Sequence, residues 1–97
     1  MTQPPGAASA ERLEQLRAEI ERIDGALIGL IAQRVAVGRR VADAKRAAGL
    51  PTLDPAQEAA VIRRAAGLAR EAGLPEEQVR DVFWALIGLT RSVERDV

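Results

Sequence analysis

Two cations interrupt the apolar face of the first predicted helix. Arg34 stands four residues after Leu30 and three before Val37, where helical spacing favours an apolar side chain. Lys45 follows 11 residues later, almost three turns, so it lies on nearly the same face about 16 Å along the axis. Two long cationic side chains so placed could bind a small anion between them. Alternatively, Arg34 pairs with a buried carboxylate or extends to solvent at a helix end.

Polar residues also interrupt the apolar face of the third predicted helix. Thr90 and Glu94, four apart, continue the line of Phe83 and Ile87. The spacing alone is compatible with Glu94 as a catalytic group, as a solvated carboxylate, or as the counter-ion of Arg34.

Two carboxylates, Asp54 and Glu58, lie four residues apart at the start of the second predicted helix and point along one side of it. Helix capping fully explains Asp54, because Pro55 follows at the first helical position and Gln57 at the third. Glu58 in isolation is typical of a solvent-facing helical residue.

A third cation, Arg17, precedes Arg34 by 17 residues, or about 25 Å of helix. That distance is too long for both side chains to bind one small molecule from the same helix. Arg17 is therefore either a solvated helical residue or a contributor to a partner chain's site.

The elements that position these residues are three helices, long, short and medium, and no strand pattern or repeat is visible, so the predicted fold class is all-α. The first helix begins at an N-cap, Ser9, and ends before Gly49. The second runs from the Asp54 cap to about Ala72, and the third opens at Leu74-Pro75-Glu76-Glu77. Residues 1–8 are predicted to be a disordered tail and residues 9–97 the single domain.

The first helix carries an apolar seam too long for one chain to cover. About 38 residues span roughly 57 Å, whereas a compact domain of about 100 residues has a radius of gyration near 13 Å. We therefore expect a symmetric homodimer. The seam repeats at alternating steps of three and four through Leu13, Leu16, Ile20, Ile23, Leu27, Leu30, Val37, Val41 and Ala44.

The amino-acid composition limits the kinds of ligand and reaction that the protein can have. The 97 residues are 47% hydrophobic, and 14 basic side chains balance 14 acidic ones, which fits one folded domain and argues against nucleic-acid binding. The absence of Cys and His removes disulfides, thiolate nucleophiles, Ser-His-Asp triads and most transition-metal sites. With neither a signal-like start nor a run of about 18 apolar residues, we expect a cytoplasmic protein without membrane contact.

One ordered set of residues resembles the all-helical, type II class of chorismate mutases over about residues 10–96. The resemblance implies an intertwined homodimeric helical bundle that rearranges chorismate to prephenate in phenylalanine and tyrosine biosynthesis, with no cofactor or metal. The matching positions are Leu16, Arg17, Ile20, Ile23, Asp24, Leu30, Arg34, Lys45, Asp54, Glu58 and the segment from Phe83 to Glu94.

The same resemblance implies roles for the cations. Arg17 of one protomer and Arg34 of the other would hold the two carboxylates of chorismate. Lys45 would bond the ether oxygen and a carboxylate, and Thr90, where the family often has Ser, would contact a carboxylate.

It also implies roles for the acids, with two departures. Asp54 and Glu58 would bind the ring hydroxyl. Glu94 stands where many members have Gln, and a carboxyl group donates a hydrogen bond only when protonated, which predicts a preference for mildly acidic pH. Gln57 replaces the family's usual Arg, so one supporting charge is missing and Asp54 and Glu58 are expected to be held less firmly.

Other functions fit the same residues. Relatives of this fold eliminate pyruvate from isochorismate or rearrange 4-amino-4-deoxychorismate, whose amine could also pair with Asp54 and Glu58. A non-catalytic helical dimerisation module, with Arg34 and Lys45 paired to carboxylates, is the alternative from a different class.

Overall fold

The chain is all-helical over the residues that its computed structural model describes, 5–95, with side chains described for 6–94. Helix α1 spans Pro5–Ala47, α2 spans Pro55–Glu71 and α3 spans Glu76–Arg95. Their lengths are 43, 17 and 20 residues, and no strand occurs among residues 5–95. The predicted order of a long, a short and a medium helix is confirmed.

Helix α1 begins earlier than predicted. It starts at Pro5, whereas the sequence favoured Ser9 as the N-cap, so the predicted tail over residues 1–8 overlaps the helix at residues 5–8. Pro is well suited to a first helical position, since its ring fixes φ and its missing N–H would have no partner there. Residues 1–4 lie outside the described residues, and the boundary of the domain stays a prediction.

Glycines end α1 and α2 in the same way. Gly49 and Gly73 have φ of 71° and 72°, a left-handed conformation that costs glycine little. The amide of the following Leu donates back into the helix in both cases: Leu50 N to Lys45 O at 2.8 Å and Leu74 N to Ala69 O at 2.8 Å. These Schellman-type ends confirm both predicted stops.

Helix α2 begins at a carboxylate cap. The Asp54 side chain accepts a hydrogen bond from the backbone N–H of Gln57, and Pro55 occupies the first helical position. The local sequence therefore fixes where α2 starts, as predicted.

The core is small and made largely of alanine. Helix α2 packs against α3, and small side chains let helix backbones approach closely. The apolar spacing of the third helix predicts that Val82 and Ile87 are both buried; Ile87 is buried, but Val82 is 56% exposed. The buried apolar residues are Ala42, Ile62, Ala65, Ala66, Ala69 and Ile87.

The contacts divide the chain into two units, one ending at Ala32 and the other beginning at Gln33, so α1 contributes to both. Seven large apolar side chains of the first unit are exposed, by 39% to 66%. None of the three described helices is long and apolar enough to cross a membrane. The exposed set is Leu13, Leu16, Ile20, Ile23, Leu27, Ile28 and Leu30.

Candidate functional site

The second unit contains a cavity of about 730 Å³ whose walls come from all three helices and the connector between α1 and α2. Helix α1 contributes its last turns, α2 its first turns and α3 its last turns. The cavity brings together six of the seven site residues predicted from the sequence. They are Arg34, Lys45, Asp54, Glu58, Thr90 and Glu94.

Arg34 lines the cavity and has no carboxylate partner among the described side chains. Its guanidinium carbon lies 6.0 Å from the centre of the Phe83 ring, at the outer limit of a cation–π contact. Among residues 6–94 no Asp or Glu oxygen lies within ion-pair distance of Arg34, so its pairing with a buried carboxylate, Glu94 included, is not observed. The half-buried guanidinium keeps its donors available for an anion.

Lys45 and Asp54 connect the end of α1 to the start of α2. Lys45 Nζ lies 3.4 Å from Asp54 Oδ2, while Asp54 Oδ1 accepts from Gln57 N at 3.1 Å. The backbone hydrogen bond from Gln57, and then the bond and charge of Lys45, hold the pKa of Asp54 below its ordinary 3.8. The Lys45 side chain is only 22% exposed, and its ammonium retains donors for a ligand.

Glu58 lies one turn into α2 and pairs with Arg91 of α3. Arg91 Nη2 donates to Glu58 Oε2 across 33 residues of sequence. Both residues line the cavity. Glu58 is therefore held by an ion pair from another helix, whereas the absence of Arg at position 57 had suggested a loosely held carboxylate.

Thr90 and Glu94 present polar groups from α3. The Thr90 hydroxyl donates to Leu86 O at 3.0 Å within the helix, so in this conformation it offers a ligand its lone pairs rather than its proton. Its methyl group faces Gly38 of α1, where a Cβ atom would lie only 2.6 Å from Thr90 Cγ2 and 3.9 Å from Glu94 Oε1. The missing side chain of Gly38 is what lets this part of α3 approach α1.

Arg17, the seventh predicted site residue, belongs to the first unit. Its Nη1 lies 3.3 Å from Glu14 Oε1, three residues earlier on the same helix, and both side chains are mostly exposed. This contact is typical of a weak surface ion pair. The contribution of Arg17 to a partner's site stays a prediction.

Arg91 and Gly38 are among the cavity-lining residues that the sequence did not predict as site residues. Arg91 lies four residues after the buried Ile87, so helical periodicity could have placed it at the edge of the buried face. Gly38 lies four residues after Arg34 and three before Val41, and a glycine on the seam of a long helix was a signal for close approach.

The arrangement suits binding and charge stabilisation rather than nucleophilic chemistry. Arg34 and Lys45 offer cationic donors to an anion, and Asp54 and Glu58 offer acceptors to a hydroxyl or amine. Among the described residues no three His, Cys, Asp or Glu side chains cluster as metal ligands do. The protein is helical, and the residues that line its cavity are compatible with a small anionic ligand that also carries a hydrogen-bond donor.

Comparison of the sequence with known proteins identifies the family to which the chain belongs. The sequence profile of the chorismate mutase type II family matches residues 16–95, which is most of the chain. The chain belongs to the chorismate mutase type II family.

A curated chorismate mutase of Methanocaldococcus jannaschii is 38% identical over 48 residues, which cover 50% of this chain and 48% of that protein. The chain thus matches about half the length of this curated relative. No solved structure gives a significant match.

Proposed function

We propose that the protein is an isomerase that converts chorismate to prephenate. The observation that carries this proposal is the convergence of Arg34, Lys45, Asp54 and Glu58 on one cavity, which Thr90 and Glu94 also line. Membership of the type II family supports it. Chorismate carries two carboxylates, an ether oxygen and a ring hydroxyl, which match these cations and acceptors in kind.

The rearrangement is intramolecular, so the site needs neither a nucleophile nor a proton relay. Arg34 binds one carboxylate, and the two acids bind the hydroxyl, which together select the compact conformer in which the reacting carbons meet. As the carbon–oxygen bond breaks, negative charge grows on the ether oxygen. Lys45, fixed by Asp54, stabilises that charge more in the transition state than in bound chorismate and so lowers the barrier.

A complete site in this proposal requires two copies of the chain in an intertwined homodimer. The exposed apolar side chains of the first unit support dimerisation, because a contiguous exposed stripe of Leu and Ile marks an association surface. Arg17 lies on the same stretch of α1 and is proposed to bind the second carboxylate in the partner's cavity. The expected cytoplasmic location belongs to the same proposal, and cell fractionation tests it.

Turnover of chorismate by purified protein tests the function. We expect ultraviolet absorbance to report the loss of chorismate and chromatography to identify prephenate, with Arg34→Ala and Lys45→Ala reducing kcat/KM by at least about 100-fold. Arg39→Ala, which removes an exposed Arg from the same helix outside the cavity lining, is the matched control.

Each alternative predicts a different product. Pyruvate and salicylate from isochorismate, or rearrangement of 4-amino-4-deoxychorismate without turnover of chorismate, would replace the proposed substrate. No reaction with any of the three would favour the non-catalytic dimerisation module.

A further inference from the structure

We infer that Arg91 is a positioning residue that fixes the Glu58 carboxylate for the substrate hydroxyl. The inference rests on the proposed function and adds to it a residue outside the predicted set. Arg91 and Glu58 both line the cavity, on α3 and α2. The ion pair therefore joins the Glu58 carboxylate of α2 to the Arg91 guanidinium of α3.

The two oxygens of the Glu58 carboxylate have different partners. Arg91 Nη2 donates to Oε2, and among the described residues no hydrogen bond reaches Oε1. Oε1 is therefore the oxygen left to accept from a ligand. Glu58 has three side-chain torsions, and the ion pair removes most of that freedom before a ligand arrives, which lowers the entropic cost of binding.

Among the described residues, Glu58 is the most buried acid of an ion pair. Its side chain is 20% exposed, against 75% for Glu14 and 72% for Asp43, while the Arg91 side chain is 44% exposed, so the pair as a whole is about as buried as Lys45 with Asp54. Exposed pairs contribute little because water and salt screen them, and partly buried pairs are screened less. Arg91 is thus placed to control Glu58 in a way that the exposed surface pairs are not.

A second ion pair provides a matched control. Arg70 of α2 pairs with Glu76 of α3 at 2.7 Å, so it joins the same two helices, but neither residue lines the cavity and Arg70 is 74% exposed. Arg70→Ala removes the same kind of side chain without touching the site. We expect it to keep the KM and kcat of the wild type.

The test is steady-state kinetics on chorismate with variants confirmed as folded by circular dichroism. We expect Arg91→Ala to raise KM about fivefold to tenfold with a smaller change in kcat, since the hydroxyl contact is made in both ground and transition states. Arg91→Lys should recover most of the loss, because one nitrogen makes the contact and an ammonium can replace it.

A double-mutant cycle shows whether Arg91 acts through Glu58. In a Glu58→Gln background, Arg91→Ala should change KM less than twofold if its effect passes through the carboxylate. An undiminished effect in that background, or wild-type kinetics for Arg91→Ala, would overturn the inference while leaving the proposed function intact. An inactive wild type would overturn the proposed function, and this role for Arg91 with it.

Discussion

At the scale of single residues, Lys45 is the group on which charge stabilisation depends in the proposed mechanism. Its contact with Asp54 holds the ammonium at the junction of α1 and α2, and the remaining N–H donors stay free for a ligand. A cation fixed before the reaction needs no reorganisation as charge develops on the substrate, which is the basis of electrostatic catalysis.

Glu94 is expected to make activity depend on pH. If its carboxyl group donates to the ether oxygen, it does so only when protonated, so kcat/KM should be higher at mildly acidic pH than at higher pH. Glu94→Gln donates at every pH and should flatten this profile. The measurement is kcat/KM from pH 5 to pH 8 for both proteins.

Glu77→Gln is the matched control for this profile, because Glu77 lies exposed in the first turn of the same helix. It should retain the wild-type pH dependence. A profile that is the same in Glu94→Gln and wild type would exclude Glu94 as the donor.

The sequence predicts six of the polar residues that line the cavity but not their partners on other helices. Helical spacing alone identified Arg34, because a cation within an apolar seam is visible in one dimension. It could not identify Phe83 as the neighbour of Arg34, or Arg91 as the partner of Glu58, since these contacts join separate helices. Pairing across helices depends on tertiary packing, which a periodic pattern does not specify.

At the scale of helices, Asp54 has two functions, since it caps α2 and forms part of the cavity wall. We predict that Asp54→Ala lowers the urea concentration at the midpoint of unfolding, because the cap of α2 is lost. Asp54→Asn should cost less, because Asn is an equally good cap and only the partly exposed ion pair with Lys45 is lost. Urea unfolding at pH 7 measures both.

The lowered pKa of Asp54 adds a pH dependence with a definite sign. A carboxyl group whose folded-state pKa lies below its ordinary 3.8 stabilises the fold above that value, and the contribution disappears as pH falls through the folded-state pKa. The stability gap between wild type and Asp54→Asn should therefore shrink towards pH 3. A gap of constant size would contradict a role for the charge.

Gly38 controls how closely α3 approaches α1. Gly38→Ala should lower stability by about 1 kcal/mol, since the added Cβ atom clashes with the Thr90 methyl group and this cost exceeds the gain in helix propensity. Thermal unfolding and kcat/KM should both show the change, because Thr90 and Glu94 would move together.

Removal of the Thr90 methyl group provides the rescue. Gly38→Ala combined with Thr90→Ser keeps the hydroxyl and should recover the lost stability. Gly67→Ala is the control, since nothing lies within 4 Å of a Cβ atom there and the substitution should be neutral or stabilising. Destabilisation that persists in the double variant would exclude this clash as its cause.

The helix boundaries at Gly49, Asp54 and Gly73 were more predictable from the sequence than the start of α1. Gly49, Gly73 and Asp54 act through local hydrogen bonds that their own neighbours complete, so the sequence contains the whole signal. The start of α1 at Pro5 differs, because a run of small residues can extend a helix without a strong cap. Ser9 has the residue type of an N-cap, but it lies inside the helix.

At the scale of the whole molecule, the proposed exchange of Arg17 between protomers can be tested by mixing two inactive variants. Arg17→Ala and Arg34→Ala, refolded together in equal amounts, form heterodimers in half of the assemblies. In each heterodimer one site receives both intact arginines, so activity should return to about a quarter of wild type. Each variant refolded alone is the control.

The opposite outcome is equally informative. If Arg17 acted in its own chain, every site in the mixture would lack one arginine and activity would not recover. The sequence led to this expectation through the length of its apolar seam, and the exposure of that seam in one chain is consistent with it. The arrangement of two chains is set by their mutual packing, which one chain's periodicity does not determine.

The cavity concentrates positive charge on a chain whose formal net charge is zero. Five cationic side chains line it against three carboxylates, and two of these carboxylates are already paired. A dianion that diffuses near the protein is therefore attracted to the cavity, although the chain as a whole has no net charge to attract it. The association rate constant of a dianionic ligand should therefore fall as ionic strength rises, whereas that of a neutral analogue should not depend on salt concentration.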